Sequence, residues 1–227
     1  IEVTQSAMST TDGKEVGPLQ MPCVIGLLDT QGNNLEVTLP PETSKNEYGV
    51  VLELTETTHE FVIQDVPELP ILSINRYFSA PVNVNYAYSL DQLAWLVRYD
   101  SDVIAVWDAA QQLGSRLILS TAQVIAEGES PTLDLMLVDC WRTLLHDQSR
   151  DPYLIAQLLA LPSLSHLMLA EDAIDFGMVA QAHTFYRSQV AQALEADWLS
   201  RYQQLAEVHD DTLAPEAMGK RALQNVC

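Results

Sequence analysis

"LSINRYFSAPVNVNYAYSLDQLAWLVRYDSDVIAVWDAAQQL", Leu72 to Leu113, changes its period in the middle. Up to Tyr88, β-branched and aromatic residues alternate with small or polar ones, as in a half-buried strand. In "VNVNYAYS", Val82, Val84, Tyr86 and Tyr88 share one face and Asn83 and Asn85 the other; the first face is expected to be core. From Ser89 the apolar residues return at helical spacing. Leu90, Leu93, Leu96 and Val97 form a stripe, and Ser89 sits in the N-cap position. The change divides the chain into a β domain over residues 1–88 and a helical domain over 89–227.

Before the change the chain reads as strands separated by turns. "IEVTQSA" opens it, and "MPCVIGLLDTQGNNLEVTLP" places two apolar runs around "DTQGNN", where Gly32 and the two Asn residues can take the positive φ of a hairpin. "GVVLELTETTHEFVIQDV" and "PILSINRYFSAPVNVNYAYS" follow the same plan. Many short strands with no helix between them point to an antiparallel sandwich. Gly26 and Gly49 lie inside strand patterns, where a bulge or a close backbone approach is the ordinary reason for glycine.

After Ser89 the pattern is helical. Val103, Val106, Trp107, Ala110, Leu113, Leu117 and Val124 define a long helix, which Gly128 and Ser130–Pro131 punctuate. Pro131 is expected at the first position of the next helix, which carries Leu135, Val138, Trp141, Leu144 and Leu145. Asp151 caps a further helix with Pro152 at its start, and Pro162 opens another turn. After a gap at Glu171–Asp172, Asp175 to Val208 is one long helix or two joined near Ala196. "APEAMGKRALQNVC" starts another from Pro215, with Met218, Ala222 and Val226 near one face and Leu223 beside them. Successive helices on short links describe an α-array without a fixed repeat period.

Composition narrows the function classes. The chain has 227 residues, 48% of them hydrophobic, enough to fill one sizeable core or two smaller ones. Its 31 Asp and Glu against 11 Lys and Arg give a formal net charge of -20. Nucleic acid and anionic membrane need a basic patch, and here basic residues stand singly. Cys23, Cys140 and Cys227 are far apart, odd in number and never in a CxxC arrangement, which suits a reducing compartment and three independent thiols. No signal peptide is evident, and "LIAQLLALPSLSHLMLA" is too short and too broken by Pro162 to span a membrane. The missing initiator Met, and an end inside the helical pattern "RALQNVC", suggest a fragment.

Catalytic signatures are absent. His59, His146, His166, His183 and His209 contain no pair one helical turn apart with an intervening Glu, as a zincin needs. His146 beside Asp147, and His209 beside Asp210 and Asp211, read as solvated surface. No GxSxG, Walker or GxGxxG pattern occurs. Glu171 and Asp172 would serve as acid and base only if the fold set them against a cleft. The sequence therefore assigns no catalytic, substrate-binding or metal-ligating residue. Trp95, Trp107, Trp141 and Trp198 lie in or beside helical apolar stripes and are expected to anchor core. Arg76, just before the period change, either holds Asp100, Asp102 or Asp108 by charge-assisted hydrogen bonds or stands exposed at a strand end.

Several motifs, in order, carry a family resemblance: "LLDTQGN", "EFVIQDV", "LSINRYFSAPVNVNY", "LVRYDSDVIAVWDAAQQL", "DPYLIAQLLALPS" and "KRALQNVC". The chain resembles the region after the catalytic domain in the bacterial aminopeptidase N family, zinc-dependent alanyl aminopeptidases of the gluzincin superfamily. The resemblance implies an immunoglobulin-like β-sandwich followed by the opening helices of a large helical domain. It also implies a parent that removes N-terminal residues from peptides with zinc. That zinc, its HExxH helix and the GxMEN motif lie upstream in the family, so no site residue carries over and no cofactor is expected in this chain.

What carries over is a supporting role: the β domain bridges the catalytic body and the helical domain, which covers the active site. The implied partners are the upstream catalytic domain, the remaining C-terminal helices and the parent's peptide substrate. The chain alone is expected to be inactive, monomeric and cytoplasmic, with the parent at most peripheral to the inner membrane, and its last helix should expose apolar surface. The alternative reading is a free-standing protein-interaction module of β-sandwich and helical array.

Overall fold

The computed structural model describes residues 1–6, 17–170, 175–207 and 212–227. They fall into two compact units: Ile1–Ala87 with Tyr99–Ala105, and Tyr88–Arg98 with Val106–Cys227.

The first unit is the immunoglobulin-like β region. Its strands are β1 (Glu2–Thr4), β2 (Met21–Leu28), β3 (Thr43–Asn46), β4 (Gly49–Leu54), β5 (Thr58–Glu60) and β6 (Ile71–Ile74). β1 and β5 pair in one sheet, and the other runs β3-β4-β2-β6, all antiparallel. Alternate residues supply the core: Cys23, Ile25 and Leu27 from β2 and Val50, Leu52 and Leu54 from β4 gather with Phe61. Val24 and Leu28 are buried as well, so β2 is covered on both faces, which is why it reads as an almost continuous apolar run. The turn after β2 has Gly32 at φ 87°, as its sequence requires. The run beyond it, "LEVTLP", makes only isolated bridges, Leu28 to Asn34 and Thr38 to Gln64.

One expected strand is missing. Residues 82–89 carry the alternating pattern but belong to no ladder, and Val82 and Tyr86 are exposed; Tyr88 alone of that face is buried. The physical reason lies just upstream. After Ile74 the backbone enters the left-handed region at Asn75 (φ 57°), Tyr77 (φ 58°) and Phe78 (φ 51°), with a 3-10 turn over Arg76–Phe78. These residues turn the chain out of the sheet, and alternation without a neighbouring strand makes no ladder.

The helical unit contains α1 (Leu90–Tyr99), α2 (Val103–Ala126), α3 (Leu135–His146), α4 (Pro152–Leu158), α5 (Leu164–Ala170), α6 (Phe176–Ala193), α7 (Glu195–Ala206) and α8 (Pro215–Val226), except that the end of α1 and the start of α2 belong to the β unit. Caps set several starts. Ser89 Oγ accepts from Gln92 N at 3.1 Å while Ser89 N donates to Gln92 Oε1 at 2.9 Å, a reciprocal capping box. Asp151 accepts from Tyr153 N and Leu154 N, with Pro152 in the first turn. α3 starts later than expected, because Asp134 accepts from Met136 N as its N-cap, so that Leu135 rather than Pro131 is the first helical residue.

The stretch after Asp175 is two helices. They are broken at Leu194 (φ -115°, ψ 18°), whose side chain is fully buried. Of the tryptophans, Trp141 is buried and meets Trp198 edge-on at 5.9 Å, as a core anchor should. Trp107 is 43% exposed, so its burial is not that of a core anchor. On α8, Ala217 and Leu223 are buried, whereas Met218 and Val226 are exposed.

Candidate functional site

The chemistry-bearing residues of the β unit converge on Arg76. Glycine at position 26 makes the convergence possible, since a Cβ there would lie 2.7 Å from Arg76 Nη1, and at Gly49 one would lie 2.3 Å from the Ile25 carbonyl oxygen. Arg76 is 4% exposed. Its Nη2 donates to Asp100 Oδ1 at 3.3 Å and to Ser101 Oγ at 3.0 Å, and its Nη1 to Asn34 Oδ1 at 3.3 Å. Of the three acids open to Arg76 by sequence, the structure chooses Asp100; the exposed strand-end alternative is excluded.

Asp102 acts on the backbone instead. Its Oδ2 accepts from Tyr77 N at 3.0 Å, and its Oδ1 accepts from Ala105 N at 2.9 Å, capping α2. Asp100 Oδ1 in turn accepts from Asp102 N at 2.9 Å. Asn75 completes the arrangement: its Oδ1 accepts from Ala80 N and Ser79 Oγ, its Nδ2 donates to Ala80 O, and Ser79 Oγ accepts from Val24 N on β2. Burial pushes the Asp100 carboxyl up; the Asp102 N–H, the Ser73 side chain and the Arg76 charge pull it down without cancelling that. The cluster's hydroxyls, Ser79 and Ser101, are taken up as hydrogen-bond partners of Val24 N, Asn75 and Arg76. Its chemistry is positional: it locks a strained turn that presents Tyr77 and Phe78, 63% and 58% exposed.

Asn34, Asn75 and Ser101 escaped sequence reasoning. A usable signal existed in "INRYF", where an Asn follows the last apolar residue of a strand and can take the left-handed conformation.

The helical unit offers a groove of about 630 Å³, lined by Trp141, Leu159, His183, Arg187, Trp198, Tyr202, Val226 and Cys227 among others. Burial pushes His183 down, and the nearby charge of Arg187 adds to this against a hydrogen bond with the Pro162 backbone. Cys227 is pushed up to about 11 by burial. The other described histidines do ordinary work. His59 Nε2 accepts from Thr55 N and Glu56 N in a turn, and His146 Nε2 bonds Asp197 Oδ1 at 2.7 Å rather than its neighbour Asp147. Glu171, Asp172, His209, Asp210 and Asp211 lie outside the described residues. Among the described residues no three His, Cys, Asp or Glu side chains gather as a metal would need. No helix among them is long and apolar enough to cross a membrane.

Comparison with known proteins agrees with this picture. Residues 1–87 match the family described as a domain of unknown function (DUF3458) with an Ig-like fold, and residues 90–227 match its companion, DUF3458_C, described as ARM repeats. The chain is 29% identical to aminopeptidase N of Escherichia coli K12 over 231 residues, covering 100% of this chain and 26% of that protein. Against aminopeptidase N of Caulobacter vibrioides identity is 32% over 163 residues, 71% of this chain and 18% of that one. A crystal structure of Legionella pneumophila aminopeptidase A in complex with aspartic acid superposes with a TM-score of 0.74 at 27% identity, over 92% of this chain and 23% of that chain. The chain thus spans about a quarter of the length of these relatives. From sheet, helices and matches together, the chain belongs to the DUF3458 family, an Ig-like domain joined to ARM repeats, and is similar to the C-terminal region of aminopeptidase N.

Proposed function

We propose that this chain is the non-catalytic C-terminal portion of a zinc-dependent metallo-aminopeptidase that removes N-terminal amino acids from peptides. In this reading residues 1–88 bridge the catalytic body and the helical domain, and residues 89–227 form part of the cover over the active site. The carrying observation is that relatives named aminopeptidase N align along 100% of the chain and so across both units. The parent's reaction, attack on the peptide carbonyl by metal-activated water, is assigned to residues outside this chain. Its three free thiols, two of them buried, support a cytoplasmic location.

The free-standing interaction module is the weaker reading, since a match in one unit alone would have favoured it. The test is the gene. A reading frame that extends upstream of Ile1 and encodes HExxH supports the proposal, and one that lacks it removes the proposal. The cover role has its own test: in the parent, short peptides should be cleaved in strong preference to folded polypeptides. Equal cleavage of both would contradict a cover.

A further inference from the structure

Residues 99–105 join two helices, yet their partners are the turns between strands. Arg76 Nη2 donates to Asp100 Oδ1 and Ser101 Oγ, and Asp102 Oδ2 accepts from Tyr77 N, all from the turn after β6. The turn after β2 reaches the same elbow. Asp29 Oδ1 gathers that turn by accepting from Gln31 N at 2.7 Å and Asn33 N at 2.9 Å. Its Gly32 comes so near the end of α1 that a Cβ there would collide with the Tyr99 carbonyl oxygen. Asn34, two residues on, accepts from Arg76 Nη1. Two separate turns of the β region thus hold the elbow, and all of these residues fall in the β unit.

Asp102 serves two structures at once. One oxygen takes the Tyr77 N–H, and the other takes the Ala105 N–H and so caps α2. A helix start leaves backbone donors without partners, and here the side chain that satisfies one of them is fixed by the β unit. α2 continues from Val106 in the helical unit. The family matches divide the chain between residues 87 and 90, and these hydrogen bonds cross that division.

We propose that the elbow Tyr99–Ala105 is a latch of the β unit: it opens and closes with the sheets rather than with the helices that flank it, so that α2 keeps its cap only while the β unit is folded. Proteins open in cooperative groups of residues, and shared buried contacts rather than chain position set the membership of a group. An elbow that left alone would strand buried Arg76 without the Asp100 carboxylate, which opposes early opening. When the sheets open, the elbow loses Arg76, the Tyr77 N–H and the seat against Gly32 together.

Native-state hydrogen exchange, read by NMR on the 227-residue chain, follows three amides of the latch, those of Tyr77, Asp102 and Ala105. In the unsubstituted protein at low urea concentrations, the three should share one urea slope with the amides of β2 and β4. Leu52→Ala, in the sheet core, should speed exchange at the three and at β2 and β4 by the same factor, about 30-fold or more for a buried leucine. Leu144→Ala, in the helical core, should speed exchange in α6 and leave the three unchanged. The latch is overturned when Asp102 and Ala105 follow Leu144→Ala, when both substitutions speed them alike, or when neither does. Where a variant does not fold, the unsubstituted protein decides alone: a urea slope at Asp102 and Ala105 that matches α6, or one near zero, ends the proposal.

Discussion

Gly26 and Arg76 compete for one volume: a side chain on β2 at position 26 would start 2.7 Å from the guanidinium that Asp100 holds. The absence of a Cβ there is thus part of the buried ion pair. Gly26→Ala should displace Arg76 or bend β2, at a cost of about 1–3 kcal/mol in overpacking. Urea denaturation of the β unit's transition reads it. In an Arg76→Ala background the same substitution should cost clearly less, because the clash is gone. Equal costs in both backgrounds would break the link between the two residues.

The pair itself should be asymmetric under mutation. Arg76 and Asp100 have side-chain exposures of 4% and 0%, so removing one partner leaves a charge buried without its counterion. Arg76→Met is expected to cost about 3–5 kcal/mol, and Asp100→Leu added to it should recover part of the loss. Chemical denaturation of both variants checks this. A double variant less stable than either single one would show that the cluster matters through its hydrogen bonds to the turn rather than through charge.

Much of this was legible beforehand, and the limits have physical causes. Ser89, Asp151 and Pro152 announce their helices because capping is local and needs only a few neighbouring residues. β2 and β4 are readable as short apolar runs between turn residues, which is how strands buried on both faces read. Residues 82–89 show the limit: alternation says which side chains share a face, not whether a strand lies alongside. The bend that removed the strand depends on left-handed residues at 75, 77 and 78, two of them bulky aromatics that propensity would never place there. For Arg76 the sequence leaves the partner open among three acids, since choosing Asp100 requires long-range packing. The void at Gly26 was visible only as a close approach of unspecified kind.

The tryptophans separate sequence expectation from structure in energy. Trp141 is 8% exposed and should cost roughly 3–5 kcal/mol when truncated to Ala. Trp107, 43% exposed, should cost about 1 kcal/mol or less, as for a typical surface substitution. Thermal unfolding of the two variants side by side decides it, and a reversal of their order would mean that the helical stripe was the better guide.

Asp147 gives a pH dependence. Burial pushes its carboxyl up, but hydrogen bonds from Ser149 Oγ, Ser149 N and Arg150 N, with the Arg150 charge, outweigh that and leave it below the ordinary carboxylate value. A lowered folded value means that the ionised form is favoured by folding. The stabilisation is present above the unfolded carboxylate range near about pH 4 and is lost as pH falls through the lowered folded value. Asp147→Asn should cost roughly 1 kcal/mol at neutral pH, and its disadvantage should shrink on acidification. Stability curves for both proteins from neutral to acidic pH check it; a gap that widens toward acid would contradict the sign.

The central claim is that this chain belongs to an aminopeptidase without containing its chemistry. The direct measurement is zinc content and alanyl-amide hydrolysis of the purified 227-residue chain beside its full-length parent, both after dialysis. The account predicts one retained zinc and activity in the parent, with neither in the chain. Tightly held stoichiometric zinc and surviving amidase activity in the chain alone, or a parent with neither, would contradict it.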